Sequence, residues 1–181
     1  MSAPLPFNVL FLSRANASRS IIAEAVMNRL GRGRFKGYSA GSEPADGVHP
    51  YAADLLSQLD YDASAYRAKS WTEFAGSDAP RIDFIFTLSD DGAAEACPDL
   101  PGHPPSGHLS VPDPAKADGD EVAQRIAFAD THRMIYQRLG IFANLPDEAL
   151  DELALEEKLA DTLRASGAAQ GKAGGFTADA R

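Results

Sequence analysis

Two hydrophobic patterns alternate along this chain: short unbroken apolar runs, and apolar residues repeated at three- and four-residue intervals. Phe7-Asn8-Val9-Leu10-Phe11-Leu12 is the first such run, the pattern of a parallel strand covered on both faces. A polar stretch from Ser13 to Ser20 follows. Ile22, Val26 and Leu30 then recur every four residues with Ile21 and Ala25 beside them, and Gly31 stands where a helix would stop. Strand, loop and helix are predicted in that order. Arg34 to Ala40, ended by Gly41, reads as a second strand, and a second helix runs from Pro50 through Leu55, Leu56 and Leu59.

The pattern repeats in the second half. Ile82 to Leu88 is another buried-strand run, followed by Ser89-Asp90-Asp91-Gly92 and a short Ala-rich helix ending near Cys97-Pro98. Gly107 to Val111 reads as a short fourth strand leading into Asp113-Pro114. Beyond it Val122, Ile126 and Ala129, then Ile135, Leu139 and Phe142, place apolar residues on one face of a long helix. Asp147 to Arg164 reads as a further helix, and the residues from Ser166 onward lack periodicity and read as a mobile tail. The expectation is a single-domain α/β protein with a central parallel four-stranded sheet, helices on both faces and an extra C-terminal helix. The parts are a domain over 1–145, a helical extension over 146–165 and a tail over 166–181. In such folds ligands sit beyond the carboxyl ends of the strands. That edge carries the loops Ser13–Ser20, Ser89–Gly92 and Pro112–Ala115.

Composition narrows the function classes. The 181 residues suit one domain, and 44% hydrophobic with 24% charged residues suit a globular one. Seventeen Lys and Arg against 26 Asp and Glu give a net charge of -9, a field that repels polyanions, so no nucleic-acid partner is expected. No run approaches the ~20 apolar residues of a membrane span, so no membrane partner is expected either. The chain has one cysteine, which excludes an internal disulfide and suits a cytoplasmic setting. The four histidines, His49, His103, His108 and His132, show no metal-ligand spacing. No metal and no cofactor are expected.

The first loop carries the candidate chemistry. A turn between a strand and a helix start directs successive backbone N–H groups toward the helix N-terminus, where partial positive charge favours an anion. The candidate oxyanion site is thus Ser13, Arg14, Ala15, Asn16, Ala17, Ser18, Arg19 and Ser20, with Ser13 facing the anion and Arg19 adding a bidentate fork. The same spacing also fits an ordinary capped helix, with Ser18 or Ser20 as N-cap and Arg19 in solvent. Asp113 reads either as a general acid for a leaving oxygen, if it faces the same pocket, or as a turn aspartate before Pro114. Cys97 has no basic neighbour in sequence and reads as inert. Trp71 and Tyr51 read as core residues rather than walls of a pocket.

With these pieces assembled, residues 7–145 resemble the low-molecular-weight protein-tyrosine phosphatase superfamily, and most closely its thioredoxin-coupled arsenate reductases. Asn8 to Leu12 followed by Asn16, Arg19, Ser20 and Ala23-Glu24-Ala25 resembles the family's strand, phosphate loop and helix. Tyr38-Ser39-Ala40-Gly41-Ser42, Val48-His49-Pro50, Lys69-Ser70-Trp71, Asp83 to Thr87, Cys97-Pro98 and Val111 to Ala115 resemble later blocks in matching order.

The resemblance assigns Ser13 to the nucleophilic cysteine position, Arg19 to oxyanion stabilisation and Asp113 to the general acid. It assigns Ser89 and Cys97 to later positions of a thiol relay. It also implies a glycine two places after the nucleophile, where this chain has Ala15; a positive φ there would strain the backbone. Arsenate reduction as the resemblance frames it draws two electrons from sulfur, which serine oxygen does not supply. The leading expectation is therefore a protein that binds phosphate, arsenate or a phosphorylated partner with catalysis lost or strongly impaired. The alternatives are an active phosphatase or arsenate reductase using Ser13 or Cys97, and a scaffold acting through its surface alone.

Overall fold

The first strand, β1 (Phe7–Leu12), is covered on both sides, which is why its sequence shows no alternation. Val9 and Phe11 point into one apolar cluster, and Leu10 and Leu12 into the other. A computed structural model of the chain describes residues 5–88 and 98–153. In it β1 pairs in parallel with β2 (Phe35–Ala40) on one side and β3 (Phe84–Thr87) on the other. β4 (Ser106–His108) pairs in parallel with β3, giving the order β2-β1-β3-β4. The sheet is the expected four-stranded parallel one, with strands two, three and four shorter than the apolar runs that announced them.

Register aligns the strand ends. Leu12 pairs with Ala40 and with Thr87, and Thr87 with His108. All four strands therefore open on one edge. The chain leaves β1 toward β2 on one side and later returns to build β3 on the other, so strand order reverses at β1. A crevice forms at such a reversal, and residues 13–18 occupy it.

The helices α1 (Arg19–Gly31), α2 (Pro50–Gln58) and α3 (Glu121–Ala143) all contribute to the cluster containing Val9 and Phe11. On the opposite face the described cover is the 3-10 turn Trp71–Phe74, with Ile82 and Leu100. The Ala-rich helix expected to end near Cys97 lies outside the described residues. So do Ser89, Cys97 and the tail 166–181. Of the expected C-terminal helix, 147–153 is helical, and Leu150 is fully buried in the main core. Among the described residues no helix is long and apolar enough to cross a membrane.

Two local expectations are corrected. Gly31 does not end α1 through a left-handed conformation, because that role falls to Arg32 at φ 44°. Gly31 is required for space instead: a Cβ there would lie 2.8 Å from the Phe35 Cβ. In α3 the apolar residues do not share one face. Phe128, Thr131, Ile135 and Leu139 are buried, whereas Val122 and Ile126 are 64% and 57% exposed. Thirteen residues at about 100° each leave Val122 and Ile135 roughly 220° apart around the axis, so the helix carries two apolar stripes and buries the second.

The C-terminus of α2 is tied to α1 by Arg29, which donates to the carbonyls of Leu59 (2.9 Å) and Asp60 (2.8 Å). The Arg29 guanidinium also lies 3.3 Å from the centre of the Tyr61 ring. The Tyr61 hydroxyl meets His132 Nε2 of α3 at 3.2 Å. Burial, assisted by Arg29, lowers the pKa of His132. A histidine lowered in the folded state leaves the unfolded chain holding more protons as pH falls through the ordinary range near 6.5. Its contribution is present above that range and is lost as pH falls through the folded value. Urea unfolding of the wild type should therefore lose midpoint between pH 7.5 and 5.5 more steeply than that of His132→Gln.

Candidate functional site

Residues 13–18 form a tight loop because their carbonyls are claimed by the following crossover. Glu43 N donates to Arg14 O, Ala45 N to Ala15 O and His49 N to Ala17 O, all at 2.8–2.9 Å. Since the trans peptide sets N–H opposite C=O, the amides of Ala15, Asn16 and Ser18 turn away from residues 43–49. The same strap sits on Gly41, where a Cβ would lie 2.5 Å from Arg14 O and 2.9 Å from Ser13 O. Gly41 does not have a positive φ, so what glycine provides is room for two backbones to approach.

Inside the loop a chain of side chains replaces solvent. Ser13 Oγ and Ser20 Oγ lie 2.6 Å apart, and Asn16 Nδ2 donates to Ser20 Oγ at 2.9 Å. Asn16 Oδ1 accepts from the backbone N–H of Lys69 at 2.8 Å. Ser13, Asn16 and Ser20 are all buried. The left-handed residue is Asn16, at φ 46°, a conformation asparagine tolerates better than most. Ala15 does not have a positive φ, so the backbone strain anticipated there is absent.

Of the two readings of the α1 start, the structure opposes the ordinary capped one. Ser18 occupies the N-cap position and makes no side-chain cap bond, and Ser20 lies within the helix. Arg19 is 9% exposed rather than solvated. Its Nη1 donates to Val111 O at 3.0 Å, and its Nη2 lies 3.4 Å from Asp113 Oδ2. The other Asp113 oxygen, Oδ1, accepts from Ala115 N at 3.1 Å and caps the 3-10 turn Pro114–Lys116. Asp113 is thus a turn aspartate and a neighbour of Arg19 at once.

The structure therefore brings Ser13, Asn16, Ser20, Arg19 and Asp113 to one corner of the sheet. Arg14 departs from the group: it is exposed and pairs with Glu43, its Nη2 2.7 Å from Oε2. Ser89 and Cys97 lie outside the described residues. Tyr51 packs on Phe128 and His49, and Trp71 packs against the second core cluster, both half-buried at the margin of the core rather than inside it. Gly41 marks a strand end in the sequence, and Glu24, Ser39, Lys69 and Val111 fall within the family-like blocks, but none of the five is assigned an individual role at the site there. A glycine directly after a parallel strand is a signal for Gly41. Nothing in spacing singles out the others.

The low molecular weight phosphotyrosine protein phosphatase profile matches residues 8–156. The chain belongs to that family. The arsenate reductase of Oceanobacillus iheyensis is 31% identical over 135 residues, covering 75% of this chain and 94% of the relative. An arsenate reductase solved in the phosphate binding state superposes with a TM-score of 0.61 at 21% identity, over 76% of this chain and 96% of that one. Vibrio vulnificus Wzb, solved in complex with benzylphosphonate, superposes with a TM-score of 0.60 at 17% identity, over 76% and 97%. The last two likenesses establish the shared fold.

Because the atoms a Cβ at residue 41 would strike are backbone carbonyls, no change of side-chain rotamer relieves the clash. Gly41→Ala should lower stability by about 1–3 kcal/mol, seen as a reduced urea midpoint.

Proposed function

We propose that this member of the family takes phosphate, arsenate or a phosphorylated partner into the Ser13–Ser20 loop, with the chemical step slowed by several decades. The hydrogen bond between Ser13 Oγ and Ser20 Oγ carries the reading. Where the family resemblance expects a thiolate stands a hydroxyl, and its partner is a second hydroxyl. A serine oxygen becomes a nucleophile at neutral pH only when a base or a metal takes its proton. Ser20 does neither.

Anion recognition survives the same exchange. The amides of Ala15, Asn16 and Ser18 turn to one side, the first turn of α1 lacks a side-chain cap, and the buried Arg19 lies beside them. A neutral hydroxyl also removes the repulsion that a thiolate would exert on an oxyanion. The phosphate and benzylphosphonate held by the two structural neighbours support this part of the reading. Asp113 lies beside Arg19, at the position the family resemblance gives to a general acid, so residual hydrolysis is slow rather than zero. Arsenate reduction draws two electrons from thiols. With oxygen at Ser13 and Ser89 and a single cysteine in the sequence, an intramolecular disulfide cannot close.

Calorimetry with inorganic phosphate and with arsenate tests the binding half. Saturable heat is expected in the wild type, with affinity reduced about tenfold or more in Arg19→Ala, the loss of a charge-assisted donor pair. Absence of heat in the wild type overturns it. Hydrolysis of an aryl phosphate tests the catalytic half: Ser13→Cys should raise the rate by about two decades or more. Fast turnover by the wild type that disappears in Ser13→Ala would refute the impairment.

A further inference from the structure

A second charged pair lies behind the loop. Glu24, on α1, is mostly buried, and its Oε2 accepts from the Ser39 hydroxyl of β2 and lies 3.6 Å from Lys69 Nζ. Lys69 Nζ also donates to Arg67 O at 3.1 Å and lies 3.5 Å from Ser39 Oγ. Both charged side chains are close to nine-tenths covered. Burial raises the Glu24 pKa and the Lys69 charge opposes that rise. The ammonium is what makes a carboxylate tolerable at this position.

The main chain of the same lysine faces the other way. Its N–H holds Asn16 Oδ1, and its carbonyl accepts from Gly41 N at 2.9 Å. Trp71 N donates to Gly41 O at 3.1 Å, and Ser70 bridges Gly41 in parallel. Residues 69–71 therefore form a short buttress against the glycine on which the loop rests. From Lys69 the bonding runs through Asn16 to Ser20 and Ser13. Side chain and main chain of one residue join the Glu24 clamp to the inner face of the loop.

We propose that Lys69 is a positioning residue for the oxyanion loop: its ammonium, clamped on Glu24 and Ser39, fixes the backbone N–H that orients Asn16 and, through it, Ser20 and Ser13. The inference rests on the oxyanion-binding reading for its consequence in affinity, but not for its consequence in loop structure. Lys69 touches no ligand in this scheme. The strap holds the loop carbonyls, but the Asn16 side chain is oriented by the Lys69 amide; when the clamp opens that side chain shifts, and misplacement of donors on the ångström scale is costly to recognition.

The test uses the full chain with three changes: Lys69→Met, which keeps the stem and removes the charge; Lys69→Arg, which keeps the charge; and Glu24→Gln with Lys69→Met, which spares the fold an unpaired buried carboxylate. Amide proton–nitrogen spectra of the ligand-free proteins report residues 13–20 and the Asn16 side chain, calorimetry reports phosphate affinity, and urea midpoints report stability. In Lys69→Met, the loop amides and the Asn16 side-chain resonances should shift or broaden, and phosphate affinity should fall about tenfold. Lys69→Arg should recover most of both. The double variant should regain midpoint without regaining the loop spectrum or the affinity. It also decides the matter should Lys69→Met fail to fold. A folded variant without the ammonium whose loop spectrum matches the wild type overturns the proposal, whatever its midpoint. If the wild type binds no phosphate but the spectra change as described, the oxyanion reading fails while the positioning role stands.

Discussion

The close approach of Gly41 to the carbonyls of Ser13 and Arg14 is the constraint on which the functional edge depends. It lets the strap 43–49 reach the carbonyls of Arg14, Ala15 and Ala17, and the strap in turn sets the direction of the loop's peptide dipoles. Without that orientation the loop would present oxygen rather than N–H to the crevice, and the start of α1 would be a poor place for an anion. Lengthening the side chain at one position therefore alters electrostatics several residues away without changing any charge.

Charge is arranged in matched pairs at this corner. The molecule is strongly acidic, yet Arg19 and Lys69 are buried cations set against Asp113 and Glu24 respectively. The two pairs differ in what surrounds them. Arg19 lies at the helix start, where under the proposed function an entering oxyanion would compete with Asp113 for the same guanidinium. Lys69 lies behind Asn16 and is committed to Glu24, Ser39 and the Arg67 carbonyl. Among the described residues Arg19 is set against a carboxylate and a carbonyl, whereas Lys69 is tied to a carboxylate, a hydroxyl and a carbonyl. Net charge describes neither, because short-range geometry outweighs the distant field at these separations.

Much of the architecture was legible in the sequence. The unbroken run of β1 reports burial on both faces, and the four-residue spacing of Ile22, Val26 and Leu30 reports α1. The apolar run around β3 exceeds the strand because its flanking residues, Ile82 before it and Leu88 after it, are buried as well. The two stripes of α3 were merged because periodicity gives the interval between apolar residues and not which of two phases faces the sheet. Arg19 and Asp113 could be brought together only through the resemblance in block order, as their sequence positions say nothing about a shared pocket. The Glu24–Lys69 pair was invisible for a plainer reason: buried charges carry the same letters as exposed ones, and only the packing distinguishes them.

The two contacts of Arg19 with the second half of the chain span 92 residues or more, whereas the loop is braced by residues 41–49 only about thirty positions away. Closing the longer connection costs more chain entropy and brings together parts that order independently. The corner is accordingly composite in its kinetics of opening. A partial unfolding that frees β4 and α3 would carry off Asp113 and the Val111 carbonyl, yet leave strand, loop, helix and strap intact. In that opened form Arg19 loses the Val111 carbonyl and the Asp113 carboxylate, while the loop keeps the strap bonds that orient its amides.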